Sequence, residues 1–233
     1  LVYCGTVAVM PARSAGRPTH EKRTAVGDLV VMLGGRIGKD GIHGATFSSE
    51  ELHEGSPATA VQIGDPITQK KLADFLMEAR DLGLYTCVTD NGAGGLSSSI
   101  GEMAGKPGGA AVHLDKCPLK YAGLAPWEIF LSEAQERMTL AVAPEKLSAL
   151  LDLAKRREVE VSDIGEFNDS GLLEAFYGGK LIGSLTMEFL HDGVPKMCLP
   201  AKLEAVNLTA PVLDRKADLT ADLKAVLAAH NVA

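Results

Sequence analysis

The 233-residue sequence is 46% apolar and 23% charged, enough for one large domain or two small ones around a buried core. A net charge of −7 and an isoelectric point near 5.4 argue against the basic face that nucleic acid requires, so none is expected as a partner. No run approaches the ~18 consecutive apolar residues that cross a bilayer, and no membrane association is expected.

The first ten residues, LVYCGTVAVM, are apolar but lack a basic leader and a small-residue cleavage site, so they read as a strand. Residue 1 is Leu rather than Met, which points to a chain that begins inside a longer protein. A polar, basic connection leads to a second strand, DLVVML, at 28–33. Residues 34–49, GGRIGKDGIHGATFSS, hold five glycines and read as a long functional loop. Its Arg36, Lys39, Asp40 and His43 allow phosphate contact, yet the spacing matches neither common phosphate-loop pattern, and a surface loop explains it equally well.

In AVQIGDP, 60–66, Gln62 interrupts an apolar strand, where an amide needs a partner; a neighbouring backbone or a substrate could supply it. Asp65 before Pro66 reads as a turn. Residues 69–83 place Leu72, Phe75, Leu76, Ala79 and Leu82 at helical spacing, with Thr68 as N-cap and Gly83 as stop. LYTCVTD, 84–90, is a strand that runs into NGAGGLSSSIGEMA, where Ser97 or Ser98 is expected to cap the following helix. Asp90 has two readings: a turn residue, or a carboxylate ligand of a hard cation such as Mg²⁺, which needs only one or two carboxylates.

AAVHLD forms a further strand, Pro126 opens a helix carrying IFLSEAQER, and MTLAVA follows as a strand. On that helix Glu133 and Arg137 would be i,i+4 partners, which leaves Gln135 unexplained. Pro144 opens another helix with Leu147, Leu150, Leu151 and Ala154 in one stripe. VEVSDIGEF, LLEAFYG and KLIGSLTMEFL look like an antiparallel meander, and Asp163 like a turn residue between strands. The pattern predicts an α/β (α+β layered) fold, a mixed sheet flanked by helices, over residues 1–199. Residues 200–233 change character to a polar linker and one amphipathic helix, the start of a following unit. The scattered Cys4, Cys87, Cys117 and Cys198 form no Cys-x-x-Cys pair and are expected to be reduced thiols of a cytoplasmic protein. No Ser-His-Asp or Cys-His arrangement is present to defend, and no catalytic residue is assigned.

In order, GGRIGKDGIHGATFSSEEL, AVQIGDP, TDNGAGGLSSSIGEMA, LDKCPLKYAGLAPWEIFLSEAQERM and SDIGEF resemble the synthetase component of the phosphoribosylformylglycinamidine synthase family. The resemblance covers roughly residues 1–170. It implies the aminoimidazole ribonucleotide synthetase C-terminal-domain fold, here from the first of two tandem units, with an N-terminal domain and a second unit in the parent chain. It implies ATP- and ammonia-dependent conversion of formylglycinamide ribonucleotide to the amidine, a small-molecule substrate, and a glutaminase partner that supplies ammonia. The form of the 35–49 stretch, GRIGKDGIHGATFSS, resembles shorter synthases with separate subunits, which implies a detached glutaminase.

Residue by residue, the resemblance makes Asp90 a Mg²⁺ ligand and Gln62, Glu133, Ala134 and Gln135 substrate-binding, with Ala134 standing where Ser is usual. The His43 loop would line the same cleft. The glycines of 92–95 would let backbone pack close to it. ATP would act as substrate of the whole enzyme, and the isolated chain is expected to be inactive. Two other readings remain: another ATP-dependent synthetase or kinase of the same superfamily, and a noncatalytic interaction module.

Overall fold

The computed structural model describes residues 7–14, 16–43, 64–200, 202, 212 and 216–229. The chain divides into two units, Leu1–Pro195 and Lys196–Ala233. In the first, a small antiparallel pair, β1 (Arg13–Ser14) and β2 (Arg17–Pro18), precedes the main sheet. The main sheet contains β3 (Leu29–Gly34), β4 (Cys87–Asp90), β5 (Gly109–His113), β6 (Arg137–Val142), β7 (Val161–Asn168), β8 (Leu172–Tyr177) and β9 (Lys180–Thr186). Their order is β4-β6-β3-β7-β5-β8-β9, and every pairing is antiparallel except β5 with β8.

The run LVVML explains why β3 is central. Val30 and Met32 face one apolar cluster while Val31 and Leu33 face another, so both sides of the strand are covered. Helices α1 (Pro66–Asp81) and α4 (Leu147–Arg157) bury Leu72, Phe75, Ala79, Leu150, Leu153 and Ala154 on the second side. Helices α2 (Gly95–Ala104) and α3 (Pro126–Leu131) bury Leu96, Ile100, Met103 and Ile129 on the first, where α5 (Met187–Asp192) adds Met187. In the second unit, α6 (Thr220–Leu227) follows Asp218, whose Oδ1 accepts the Thr220 amide hydrogen at 2.9 Å.

The mixed sheet flanked by helices agrees with the sequence reading, and several local expectations are corrected; Asp163, expected in a turn between strands, lies within β7. Helix α1 starts earlier than expected: Asp65, not Thr68, is the N-cap, and its carboxylate accepts the amide hydrogens of Ile67 and Thr68. Leu82 and Leu151 are exposed, because α1 ends at Asp81 and Leu153 takes the inward place on α4. Strands β7 and β8 do not form a meander, since β5 lies between them; only β8 and β9 make a hairpin. The helix opened by Pro126 stops at Leu131, so Glu133 and Arg137 are not helical partners. Residues 7–10, the described part of the first expected strand, carry no strand.

Among the described residues, no helix is long and apolar enough to cross a membrane. Cys87 and Cys117 are buried free thiols and Cys198 is an exposed one. Burial pushes the Cys117 thiol up to about 12, which keeps it protonated and inert.

Candidate functional site

Three adjacent strands bring the sequence motifs together. In the antiparallel order β4-β6-β3, the ends of β4 and β3 flank the beginning of β6, with Asp90 opposite Met138 and Gly34 opposite Arg137. Asp90, the last residue of β4, is exposed, and its Oδ1 accepts the Gly92 amide hydrogen at 2.9 Å. Asp90 closes a turn, as one of its two readings expected, and it also lines a cavity of about 320 Å³. Ala134, Gln135, Glu136 and Arg137 form the opposite wall, and Gln69 of α1 borders it.

The glycines after Asp90 serve the neighbouring loop. Gly94 and Gly95 have φ of +79° and +57°, and a Cβ on Gly95 would stand 2.1 Å from the Ser132 carbonyl oxygen. Residues 132–133 can therefore lie directly on the turn. From there Glu133 Oε1 accepts the Gly94 amide hydrogen at 2.9 Å. This corrects the expected cap: Gly94, without a side chain, is the N-cap of α2, and Ser97 lies in the first turn, donating to the Gly94 carbonyl. The close approach of Gly95 is thus to protein backbone, while Gly92 borders the cavity.

A second close approach fixes the other side of the tripeptide. A Cβ on Gly34 would stand 2.1 Å from the Glu136 carbonyl oxygen, which accepts the Gly35 amide hydrogen at 2.9 Å. Glu136 itself has φ of +56°, a left-handed conformation that a non-glycine residue adopts only when its surroundings enforce it. Gln135 and Glu136 also border a neighbouring cavity of about 370 Å³ with Arg36, Asp65, Lys71, Lys120 and Glu160.

The described part of the glycine-rich loop, 34–43, is anchored. Ile37 is fully buried and pairs with Leu119, Lys120 Nζ lies 3.0 Å from Asp40 Oδ2, and Arg36 Nε lies 2.8 Å from Glu160. Lys39 pairs with the buried Glu128 at 2.9 Å. Glu128 also accepts the Ala125 amide hydrogen at the start of α3, and that backbone bond, then Lys39, holds its carboxyl below the usual range. The cations foreseen for phosphate contact are thus engaged with carboxylates of this chain.

Asp90, Ala134 and Gln135 therefore share one cavity, with Glu133 buried behind it; Gln62 and positions 44–49 lie outside the described residues. The sequence reading missed Arg137 and Asn91. Arg137 is 3% exposed, and burial lowers its guanidinium to about 10, so it stays charged at neutral pH. Asn91 is buried beside it, with its Oδ1 accepting from Thr139 Oγ1 at 2.8 Å, and Ser99 Oγ lies 3.1 Å from that hydroxyl. A charged residue at the head of the apolar run MTLAVA was the available signal. Among the described residues, no three metal-binding side chains cluster.

The family model for AIR synthase related protein, C-terminal domain, matches residues 25–178. A Methanopyrus kandleri protein named phosphoribosylformylglycinamidine synthase subunit PurL is 44% identical over 176 residues, which are 73% of this chain and 24% of that protein. Among solved structures, Thermotoga maritima PurL complexed with FGAR superposes with a TM-score of 0.72 at 32% identity, covering 85% of this chain and 33% of that one. The same T. maritima protein complexed with ATP gives 0.69 at 26% identity, covering 89% of this chain and 33% of that one. The chain thus spans about a quarter to a third of the length of these relatives.

Proposed function

The chain belongs to the AIR synthase related protein family, C-terminal domain, and from that premise we propose that it is the substrate- and Mg²⁺-binding domain of a phosphoribosylformylglycinamidine synthase. The whole enzyme would use ATP and ammonia to convert formylglycinamide ribonucleotide to the amidine in purine biosynthesis. Residues 1–199 would form the domain, and 200–233 the linker and start of the next unit. An N-terminal domain and a second unit of the parent polypeptide would complete the active site, and a glutaminase subunit would deliver ammonia. The isolated chain, lacking the ATP-activating half, would form no amidine.

One observation carries this reading: Asp90 and the Ala134–Gln135 backbone, separated by 44 positions and more in sequence, line the same 320 Å³ cavity. The donor set fits a hard cation. A single exposed carboxylate at a strand end suits an ion that retains waters and takes further oxygens from phosphate. When bound, Mg²⁺ would neutralise phosphate charge. The chain's own residues would do the rest: Asp90 would hold the ion, Gln62 and Gln135 would offer amides to the substrate, and Ala134 would border the cavity beside Gln135. Glu133 would keep the tripeptide seated on the Gly94 amide.

The test is Asp90→Asn in the full-length polypeptide, with calorimetric titration of formylglycinamide ribonucleotide at several MgCl₂ concentrations. The metal-dependent part of the binding should disappear. Unchanged binding and turnover would remove Asp90 from this role.

A further inference from the structure

Among the described residues, Arg137 is the one buried cation that borders the cavity, and its surroundings are unusual. Its Nε donates to the Ala134 carbonyl at 2.7 Å, and one terminal nitrogen, Nη2, donates to the Ser132 carbonyl at 2.5 Å and the Asn91 carbonyl at 3.4 Å. The Arg137 carbonyl in turn accepts the Asn91 amide hydrogen at 3.1 Å. No ion pair joins Arg137 to a carboxylate among the described residues, and its other terminal nitrogen, Nη1, is buried without a hydrogen-bond partner. Burying a charge against neutral carbonyls is costly, and an apolar residue of similar volume would avoid that cost. Here the guanidinium instead supplies hydrogen bonds to three backbone carbonyls on two loops.

We propose that Arg137 is a positioning residue: it clamps the turn that carries Asp90 to the 132–135 loop and so fixes the metal-binding and substrate-binding edges of the cavity relative to each other. This rests on the function proposed above. The argument is geometric. Ser132 and Ala134 bracket Glu133 on one loop, while Asn91 follows Asp90 on another, and one planar group reaches all three carbonyls. Guanidinium donors diverge in a fixed fork and can serve acceptors on two segments at once. A lysine ammonium in the same place keeps the charge but is a compact point on a shorter reach, and it cannot hold the two loops in one register. Gly34, Gly35 and Gly95 bring the surrounding backbone in close, so the clamp has almost no slack.

The decisive variant is Arg137→Lys in the full-length polypeptide, with two readouts. Hydrogen–deuterium exchange should accelerate in both peptides that cover 90–95 and 132–137, and stay unchanged at β8 and β9. In kinetics, KM for formylglycinamide ribonucleotide should rise about tenfold to a hundredfold, as expected when binding groups are misplaced by about an ångström. The apparent MgCl₂ requirement should rise with it, and millimolar guanidinium should recover part of the loss in Arg137→Ala. A residue that matters only for folding would lower the melting temperature and kcat, and leave KM and the exchange pattern of folded molecules as they were. That result overturns the proposal, as does faster exchange in only one of the two loops. If the wild-type polypeptide fails to bind formylglycinamide ribonucleotide, the functional reading falls, while the exchange measurement still decides the role of Arg137.

Discussion

Gly95→Ala tests the idea that the turn after Asp90 is shaped by the loop lying against it. The new methyl would stand 2.1 Å from the Ser132 carbonyl oxygen and within 3.0 Å of two carbonyl carbons, all of them backbone atoms that cannot rotate away. The φ of +57° adds left-handed strain of about 1–2 kcal/mol for any residue with a Cβ. Forcing extra volume into packed structure costs about 1–3 kcal/mol more. The sum is about 2–5 kcal/mol, and at ~2–4 °C per kcal/mol for a unit of this size the melting temperature should fall by roughly 4–20 °C. Gly179→Ala is the control, because Gly179 has φ of +75° in the β8–β9 turn with nothing within 4 Å of its added Cβ. It should lose only the strain, about 2–8 °C. Thermal unfolding followed by circular dichroism measures both. Equal melting temperatures for the two variants would refute the claim that Ser132 presses on Gly95.

Two further outcomes follow from the same region. Thr139→Val removes the donor to Asn91 Oδ1 and leaves a buried acceptor unpaired; urea unfolding should report a loss of about 1–3 kcal/mol. Glu128 has a folded-state carboxyl below 4.5, so the unfolded chain binds more protons in that interval and stability rises with pH. The contribution is present above about 4.5 and disappears as pH falls through the lowered folded value. The stability gap between wild type and Glu128→Gln should therefore be larger at pH 6 than at pH 3 in urea titrations.

Much of the architecture could be read from periodicity, because it depends on burial. LVVML had to be covered on both sides, and Leu72, Phe75 and Ala79 had to face inward on a helix. Strand neighbours are a different matter: nothing local in Val161–Asn168 or Leu172–Tyr177 says that Gly109–His113 inserts between them. Asp90 was legible as a carboxylate next to glycines, and Gln135 as an amide that the expected Glu133–Arg137 pairing left unexplained. Arg137 was not, because its value lies in carbonyls of residues 91, 132 and 134 that become neighbours only after three strands pair. The caps failed for a related reason. Serine or threonine beside a helix start is a good prior, but Asp65 already filled one position, and at the other Gly94 takes the cap in a left-handed conformation, φ +79°, ahead of the serines.

Gln135 and Glu136 border two hollows, one of about 320 Å³ and the other of about 370 Å³. The partition between them is a single stretch of backbone, pinned at the Gly35 amide and twisted into a left-handed residue. A substitution at Gln135 or Glu136 therefore alters the lining of both hollows at once, and its effect on ligand binding beside Asp90 has to be separated from its effect among Arg36, Lys71 and Glu160.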